Sequence, residues 1–287
     1  MESFKKVGIS EEIMKSLVEH KFTTPTEIQE KSIPLIMQGK DVIAGAATGS
    51  GKTLAFATGI IKNCEKGIGI QALVLVPTRE LAEQVAKSLR LFSKYKPLNI
   101  SLIYGGVSIN PQIKELYHAD VVVGTPGRIL DHIERRTLDL SGVNTLVLDE
   151  ADRMLDMGFI DDVEKIIGRC GRNRQTLLFS ATISRDISGI ANRYMQKPVE
   201  IFAESQVDPT KLKQVYYDVP DNQKFALLVH FLKNDKSGLV MVFCNTQRNT
   251  DFVEKNLRLL GMRVLGIHGG YSQDKRTKTM KQFNEKD

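Results

Sequence analysis

A glycine-rich segment, AATGSGKT at residues 46–53, lies between an apolar run and a stretch of helical character. Backbone N–H groups in such a turn, with the positive end of the following helix, favour a phosphate group. Lys52 is placed to reach the terminal phosphates, and Thr53 supplies a hydroxyl ligand for Mg²⁺. Because Ala46 replaces the glycine that usually opens this pattern, an ordinary glycine-rich turn is the alternative. The candidate phosphate contacts are Ala46, Ala47, Thr48, Gly49, Ser50, Gly51, Lys52 and Thr53.

Two adjacent carboxylates, Asp149 and Glu150, end the apolar run in LVLDEAD. An enzyme that uses a phosphate-binding turn needs one acidic group for the metal and a second to orient water near the γ-phosphate. We assign Asp149 to the metal and Glu150 to the water. An acidic strand end is common by itself, so the assignment depends on the turn at residues 46–53.

Short apolar runs alternate with helical patterns along the chain. Leu81, Val85 and Leu89, for example, fall on one helix face. This alternation predicts an α/β fold, a parallel sheet with helices on both faces. The predicted strands lie at residues 41–46, 72–76, 100–104, 120–123, 145–149 and 176–179.

A second series of elements follows residue 198. We expect a first domain at residues 1–202, a linker at 203–211 and the beginning of a second α/β domain at 212–287. Gly261 follows the last apolar residue of one predicted helix, as a stop signal should. The predicted strands of this series are 214–219, 239–244 and 262–268, and its predicted helices are 221–233, 247–260 and 272–285.

The composition is that of a globular protein, with 41% hydrophobic and 26% charged residues among 287. The net charge of +6 is modest and does not by itself identify a nucleic-acid-binding protein. The three cysteines and five histidines show neither a disulfide framework nor a zinc-ligand spacing. With neither a signal peptide nor a membrane span in the sequence, we expect a cytoplasmic protein without membrane contact.

The tetrapeptide Asp-Glu-Ala-Asp at residues 149–152 resembles the signature of the DEAD-box RNA helicases, which have a RecA-like P-loop fold. The segment KFTTPTEIQ at residues 21–29 resembles the Q motif of that family, although Lys21 replaces its usual first glycine. The resemblance implies ATP and Mg²⁺, an adenine contact by Gln29, and stacking by Phe22. The nucleotide contacts that it adds are Phe4, Phe22, Thr24 and Gln29, and the catalytic residues that it implies are Lys52, Asp149, Glu150, Ser180 and Thr182. For Phe22, simple core packing is an alternative.

Further segments resemble the RNA-contacting motifs of the same family, in the same order. PTRELAEQ at residues 77–84 is similar to motif Ia, the Gly-Gly pair to the GG motif, TPGR to motif Ib, and SAT at residues 180–182 to motif III. Such segments follow strand ends, where N–H groups, hydroxyls and guanidinium groups meet a phosphate without reading bases. The implied RNA contacts of the first domain are Pro77, Thr78, Arg79, Gly105, Gly106, Thr125, Gly127 and Arg128.

Structural roles are the alternatives for these motifs. TPGR is also a sound turn into a helix, and Ser180 and Thr182 compete with Ser184 for a helix cap. Arg79 could instead pair with Glu83 one helical turn away.

In the second series, VFCNT at residues 242–246 resembles motif IV, and HGGYSQDKR resembles the short motif after it. These imply RNA contacts by Thr246, Gly269 and Gln273. Nothing in the 287 residues resembles motifs V and VI. Since motif VI carries the arginine fingers of the family, we expect this chain to bind nucleotide but hydrolyse it poorly.

The resemblance implies an RNA helicase that acts as a monomer and separates strands locally. A DNA-directed helicase and an ATP-gated RNA clamp without productive unwinding are the alternatives. A metabolic P-loop kinase would not explain the RNA-contacting series. The RNA substrate and the protein partners are not specified by the sequence.

Overall fold

The computed structural model describes residues 1–203, 213–234 and 238–285. The predicted linker, except for Ala203, therefore lies outside the described residues. The chain divides into two compact units, Met1–Gln206 and Val207–Asp287, which are described separately below. In the described ranges, no helix is long and apolar enough to cross a membrane.

The described part of the first unit contains a seven-stranded sheet in the order β3-β4-β2-β5-β6-β1-β7. Every strand pairing is parallel, which confirms the predicted α/β class. All six predicted strands of this unit are present, and the sheet adds an edge strand, β7, that the sequence reading missed. The strands are β1 (Val42–Gly45), β2 (Ala72–Leu75), β3 (Ile100–Ile103), β4 (Val121–Gly124), β5 (Thr145–Leu148), β6 (Gln175–Ser180) and β7 (Val199–Phe202).

Helices connect these strands, because parallel neighbours need a crossover. Each connection takes the chain from the carboxyl end of one strand back to the amino end of another. The helices of this unit are α1 (Glu2–Lys6), α2 (Glu11–Glu19), α3 (Glu27–Met37), α4 (Lys52–Asn63), α5 (Arg79–Phe92), α6 (Ile109–Leu116), α7 (Pro126–Glu134), α8 (Ala151–Asp156), α9 (Ile160–Ile167) and α10 (Arg185–Tyr194).

The sheet is buried on both faces. Val42 and Ala44 of β1 belong to one hydrophobic cluster, and Ile43 between them belongs to the other. This alternation follows from the two-residue period of a strand. A sheet covered on both faces explains the nearly continuous apolar runs in the sequence.

The second unit contains three helices in its described residues, close to the predicted positions. They are α11 (Lys224–Asn234), preceded by a 3₁₀ turn at Asp221–Gln223, then α12 (Gln247–Leu259) and α13 (Gln273–Asn284). Gly261 has φ +77° and its N–H donates to the Arg258 carbonyl. The predicted helix stop is therefore confirmed.

The prediction of strands at residues 214–219, 239–244 and 262–268 is wrong for this structure. No strand is assigned in the described residues of this unit, and the apolar side chains of two of these segments are largely exposed, with Tyr216 at 92% and Phe243 at 88%. An apolar run has strand character, but a strand also requires a hydrogen-bonded neighbour. The three segments lack such a ladder.

A substitution at Phe56 of α4 tests the core packing behind the glycine-rich turn. Its ring is fully buried and packs edge-on against Phe179 of β6, with centroids 5.6 Å apart. We expect Phe56→Ala to lower the free energy of unfolding by about 3–5 kcal/mol, because it leaves a cavity. Tyr117→Ala, at an 80% exposed position, is the control and should change it by less than about 0.5 kcal/mol. Urea denaturation measures both, and equal effects would contradict this packing role.

Candidate functional site

The candidate residues of the first unit that follow strands lie at the carboxyl edge of the sheet, because its strands are parallel. The strand order divides their loops into two adjacent sets. The loops after β3, β4 and β2 carry the Gly-Gly pair, TPGR and PTRE. The loops after β5, β6 and β1 carry Asp149 and Glu150, the SAT segment and the glycine-rich turn. This edge is where open α/β sheets bind ligands.

The glycine-rich turn connects β1 to α4, as predicted. Gly49 and Gly51 have φ values of +84° and +91°, which favour glycine. Lys52 begins α4 and is 6% exposed, and its Nζ lies 3.4 Å from the Ala46 carbonyl oxygen. The turn therefore places a buried ammonium group beside the N-terminus of a helix, an arrangement that favours an anion.

The acidic pair faces this lysine. Lys52 Nζ lies 3.7 Å from Asp149 Oδ1. Burial raises the pKa of Asp149 to about 6, although the neighbouring Lys52 acts to lower it. A bound cation would offset the cost of burying this carboxylate. The oxygen donors of Asp149 and Thr53 therefore fit Mg²⁺, which prefers carboxylate and hydroxyl ligands.

Glu150 has a left-handed backbone, with φ +52°, which turns the chain from β5 into α8. Its carboxylate accepts a hydrogen bond from Thr48 Oγ1 at 3.4 Å and pairs with Arg153 Nη1 at 3.3 Å. The Thr48 contact links the acidic loop directly to the glycine-rich turn. These two loops therefore form one site.

Gln29 connects the Q-motif segment to the same turn. Its Nε2 donates to the Gly51 carbonyl at 2.9 Å, and its Oε1 accepts from the Thr26 N–H at 3.0 Å. Thr26 in turn donates to the Ser50 carbonyl at 2.7 Å. An amide has two N–H donors and two acceptor lone pairs, so one of each remains for the predicted adenine contact.

The aromatic residues of this region differ in exposure. Phe22 is 38% exposed and makes an edge contact with Phe92, at 6.0 Å between centroids, so core packing accounts for only part of its ring. Phe4 is 0% exposed and belongs to the hydrophobic core. Its ring packs inside the unit, and its nucleotide contact stays a prediction. Thr24 lies on the surface.

The SAT segment is tied to the acidic loop through Asp152. One oxygen of Asp152 accepts from the Ala181 N–H and from both the N–H and the hydroxyl of Thr182, and Ser180 Oγ accepts from the Asp152 N–H. Burial acts to raise the pKa of Asp152, but its hydrogen bonds to Thr182 leave it below the usual value. Ser184 caps α10. The capping alternative for Ser180 and Thr182 is therefore wrong, and both residues hold Asp152.

The Gly-Gly loop after β3 is held by two arginines from the first turns of α5 and α7. The Arg79 guanidinium occupies the space that a side chain at Gly106 would need, and Arg128 Nη2 donates to the Val107 carbonyl at 3.0 Å. Gly106 has φ +76°. Arg128 therefore has a structural role in holding this loop, beside any contact with RNA.

The other first-unit candidates lie at helix starts. Pro77 is buried next to Thr78, which caps α5 by accepting from the Leu81 N–H at 3.3 Å. Thr125 precedes α7, and a side chain at Gly127 would meet nothing within 4 Å. The space around Gly127 is therefore open to a ligand backbone.

In the second unit, the candidates also lie near helix starts. Thr246 caps α12 by accepting from the Asn249 N–H at 3.1 Å, and Gln273 is the first residue of α13. A side chain at Gly269 would approach Gln247, the residue after Thr246, at 3.8 Å. The structure thus brings Thr246 and Gly269 into one neighbourhood.

The sequence reading missed two residues that hold the site together. Thr26 belongs to a Thr-x-x-Gln capping box with Gln29, a pattern that the sequence displays. Asp152 ends the acidic tetrapeptide, but no local pattern predicts its partner 30 residues away. The contact depends on the adjacent positions of β5 and β6.

A substitution at Gly51 tests the hydrogen bond between the glycine-rich turn and Gln29. Gly51→Ala would place a methyl group against the Gln29 amide nitrogen. Gly39→Ala is the matched control, with φ +77° and nothing within 4 Å. Both changes should cost about 1–2 kcal/mol of stability because of the left-handed backbone. Only Gly51→Ala should also weaken binding of a fluorescent adenine nucleotide, and equal affinities in both variants would contradict this link.

Comparisons with known proteins agree with this geometry. The DEAD/DEAH box helicase family profile matches residues 26–190, and the helicase conserved C-terminal domain matches residues 223–287. The DEAD-box ATP-dependent RNA helicase CshA of Geobacillus kaustophilus is 45% identical over 99% of this chain. The chain spans 62% of that protein, and 55% of the Bacillus cereus CshA, which is 42% identical.

Solved structures give the same result. A DEAD box protein from the hyperthermophile Methanococcus jannaschii is 44% identical with a TM-score of 0.69, over 99% of this chain and 77% of that one. S. cerevisiae Dbp5 bound to RNA and ADP BeF3 is 29% identical with a TM-score of 0.89, over 99% of this chain and 74% of that one. With its matched profile, its P-loop and its acidic tetrapeptide, this chain belongs to the DEAD/DEAH box helicase family.

Proposed function

We propose that this chain is the nucleotide-binding and RNA-binding part of an ATP-dependent RNA helicase. The observation that carries the proposal is the buried contact between Lys52, at the end of the glycine-rich turn, and Asp149, at the end of β5. It joins a phosphate-binding group to a metal-binding group at one point of the sheet edge. The names of the relatives, ATP-dependent RNA helicases, support the same activity.

Each residue of the nucleotide half of the site has a separate role. The turn N–H groups and Lys52 bind phosphate oxygens, and Gln29 contributes one donor and one acceptor to the adenine edge. Thr53 and Asp149 would hold Mg²⁺, which supplies charge neutralisation at the β- and γ-phosphates. Glu150 orients the attacking water and accepts its proton.

The RNA half binds the sugar-phosphate backbone. Arg79 provides positive charge, the Thr78 hydroxyl retains its hydrogen for a phosphate oxygen, and the open space at Gly127 admits the strand. Such contacts carry no base information. The RNA-bound Dbp5 structure, which is similar over most of this chain, supports this assignment.

Asp152 links the acidic loop to the SAT segment within the nucleotide half of the site. Asp152 follows the acidic pair and binds the SAT segment, so a shift of Glu150 toward a γ-phosphate is transmitted to Thr182. In the whole protein, we expect ATP and RNA to close two domains around the strand, and phosphate release to reopen them. Bending of the strand in the closed state separates a short duplex locally, before phosphate release reopens the domains.

Lys52→Ala tests the nucleotide site. Loss of a charge-assisted hydrogen bond to phosphate should weaken binding of Mg·ATP by about 10-fold to 100-fold. Lys62→Ala is the matched control, since Lys62 lies at the other end of α4 and its Nζ donates to the Met37 carbonyl. Calorimetric titration measures both variants. Undiminished affinity in Lys52→Ala would overturn the proposed site.

Arg79→Ala tests the RNA site. We expect weaker binding of a ten-nucleotide single-stranded RNA in the presence of a non-hydrolysable ATP analogue, and a salt slope reduced by about one. Arg90→Ala is the control on the same helix, because Arg90 donates to the Ile100 carbonyl at 2.8 Å, far from the proposed site. Fluorescence anisotropy measures the affinities. Competition by DNA of the same sequence as strong as by RNA would favour a DNA-directed helicase.

Steady-state hydrolysis tests the role of the motifs that the 287 residues lack. Because an arginine finger contributes about 10³-fold to 10⁵-fold in rate, we expect this chain alone to turn over ATP far below once per second, with or without RNA. A coupled phosphate-release assay measures the rate. RNA-stimulated turnover near one per second would show that these residues suffice for hydrolysis.

A further inference from the structure

A buried polar cluster lies beneath the Gly-Gly loop, outside the roles assigned above. Gln112 of α6 is 5% exposed, and His132 of α7 is 0% exposed. The Arg128 side chain, at 13% exposed, joins them. Burying such groups is costly unless they are hydrogen-bonded, so the arrangement of their partners shows what the cluster stabilises.

Gln112 is the centre of this cluster. Its Nε2 donates to the Tyr104 carbonyl at 2.9 Å. Its Oε1 accepts from Arg128 Nη1 at 3.3 Å and lies 3.2 Å from His132 Nε2. Arg128 also donates to the Val107 carbonyl. One amide side chain therefore fixes the residue before the Gly-Gly pair directly, and the residue after it through Arg128.

His132 orients the glutamine. Because Gln112 Oε1 is an acceptor, His132 Nε2 carries the hydrogen, and Nδ1 lies 2.8 Å from the Thr137 hydroxyl oxygen. Burial lowers the pKa of His132, and the Arg128 charge adds to the effect. The ring is therefore neutral near pH 7 and donates to the amide oxygen, which keeps the amide nitrogen directed at Tyr104.

The upper side of the loop is held independently. The Arg79 guanidinium lies against Gly106, and the Tyr104 hydroxyl donates to Glu83 of α5 at 2.8 Å. The loop is thus enclosed between two arginines that are both assigned to RNA. A loop with a glycine pair has little stiffness of its own, so its shape depends on these contacts.

We propose that Gln112, oriented by His132, is a positioning residue for RNA binding. It does not contact RNA, and it holds the Gly-Gly loop and Arg128 in the geometry that a phosphate backbone requires. This inference rests on the proposed function, because it concerns the same RNA site. It adds residues of α6 and α7 that lie behind the contact surface.

Gln112→Met tests the proposal, because it keeps the side-chain volume and removes the hydrogen bonds. Gln175→Met is the matched control. Gln175 is equally buried, at 6% exposed, and its amide donates to the Ile36 and Lys40 carbonyls at the amino end of β6. Both variants lose buried hydrogen bonds to backbone carbonyls, but only Gln112→Met frees the Gly-Gly loop.

Three measurements on the 287-residue chain separate positioning from general destabilisation. These are the Kd for a ten-nucleotide single-stranded RNA with a non-hydrolysable ATP analogue, the Kd for the analogue alone, and amide hydrogen exchange of residues 104–107. For Gln112→Met we expect RNA affinity to fall by about tenfold, nucleotide affinity to stay within about twofold, and exchange in the loop to accelerate. Gln175→Met should show neither the RNA effect nor the loop effect.

The outcomes distinguish this inference from the proposed function. If the parent chain binds RNA and Gln112→Met binds it equally well, the positioning role is wrong and the RNA site stands. If both glutamine variants lose RNA affinity in parallel, the effect is one of stability and the positioning role is again wrong. If the parent chain binds no RNA, the proposed function fails, and the inference fails with it.

Discussion

The parallel direction of the strands is the constraint on which this site depends. Gly45 pairs with Ser180, and Leu148 pairs with Leu178, across three neighbouring strands. Strands in this register end at nearly the same height, so the glycine-rich turn, the acidic pair and the SAT segment emerge side by side. An antiparallel arrangement would have sent some of these loops to the opposite edge. The contacts of Lys52, Thr48 and Asp152 across these loops follow from this register.

Charge distinguishes the two sets of loops at the carboxyl edge of the sheet. The buried Lys52 and Asp149 form a pair whose mutual attraction only partly offsets the cost of burial, and the raised pKa of Asp149 reflects that cost. A metal-bound triphosphate would supply an anion for Lys52 and a cation for Asp149. On the other set of loops, arginines and exposed glycine backbone provide positive charge and close approach, which suit a polyanion without base recognition.

The sequence predicted the first unit well because its signals are local. Apolar runs mark the buried strands, and the turn at residues 46–53 follows a strand and begins a helix, as its residue types require. The edge strand β7 escaped notice because only half of its four residues are shielded, at Val199 and Ile201. The burial of Phe4 also escaped notice, because an aromatic residue near a motif looks the same in sequence whether it stacks on a ligand or packs in a core.

Contacts between residues that are far apart in the chain could not be predicted from the sequence. Nothing near Gln112 shows that it binds Tyr104 and Arg128, since the contact arises from packing of α6 and α7 beside β3 and β4. In the second unit, the apolar runs predicted strands, but the described residues contain no neighbouring strand for them to pair with. Whether an apolar run forms a strand depends on a neighbouring strand to pair with, which the spacing of apolar residues does not reveal.

The most direct measurement is amide hydrogen exchange on this chain, first with a Mg·ATP analogue and then with the analogue and single-stranded RNA together. If the strand order divides the edge as described, the analogue protects residues 46–53, 149–152 and 180–182, and addition of RNA then protects residues 77–79, 104–107 and 125–128. Protection of the second set by the nucleotide alone, or of neither set by its ligand, would contradict the account.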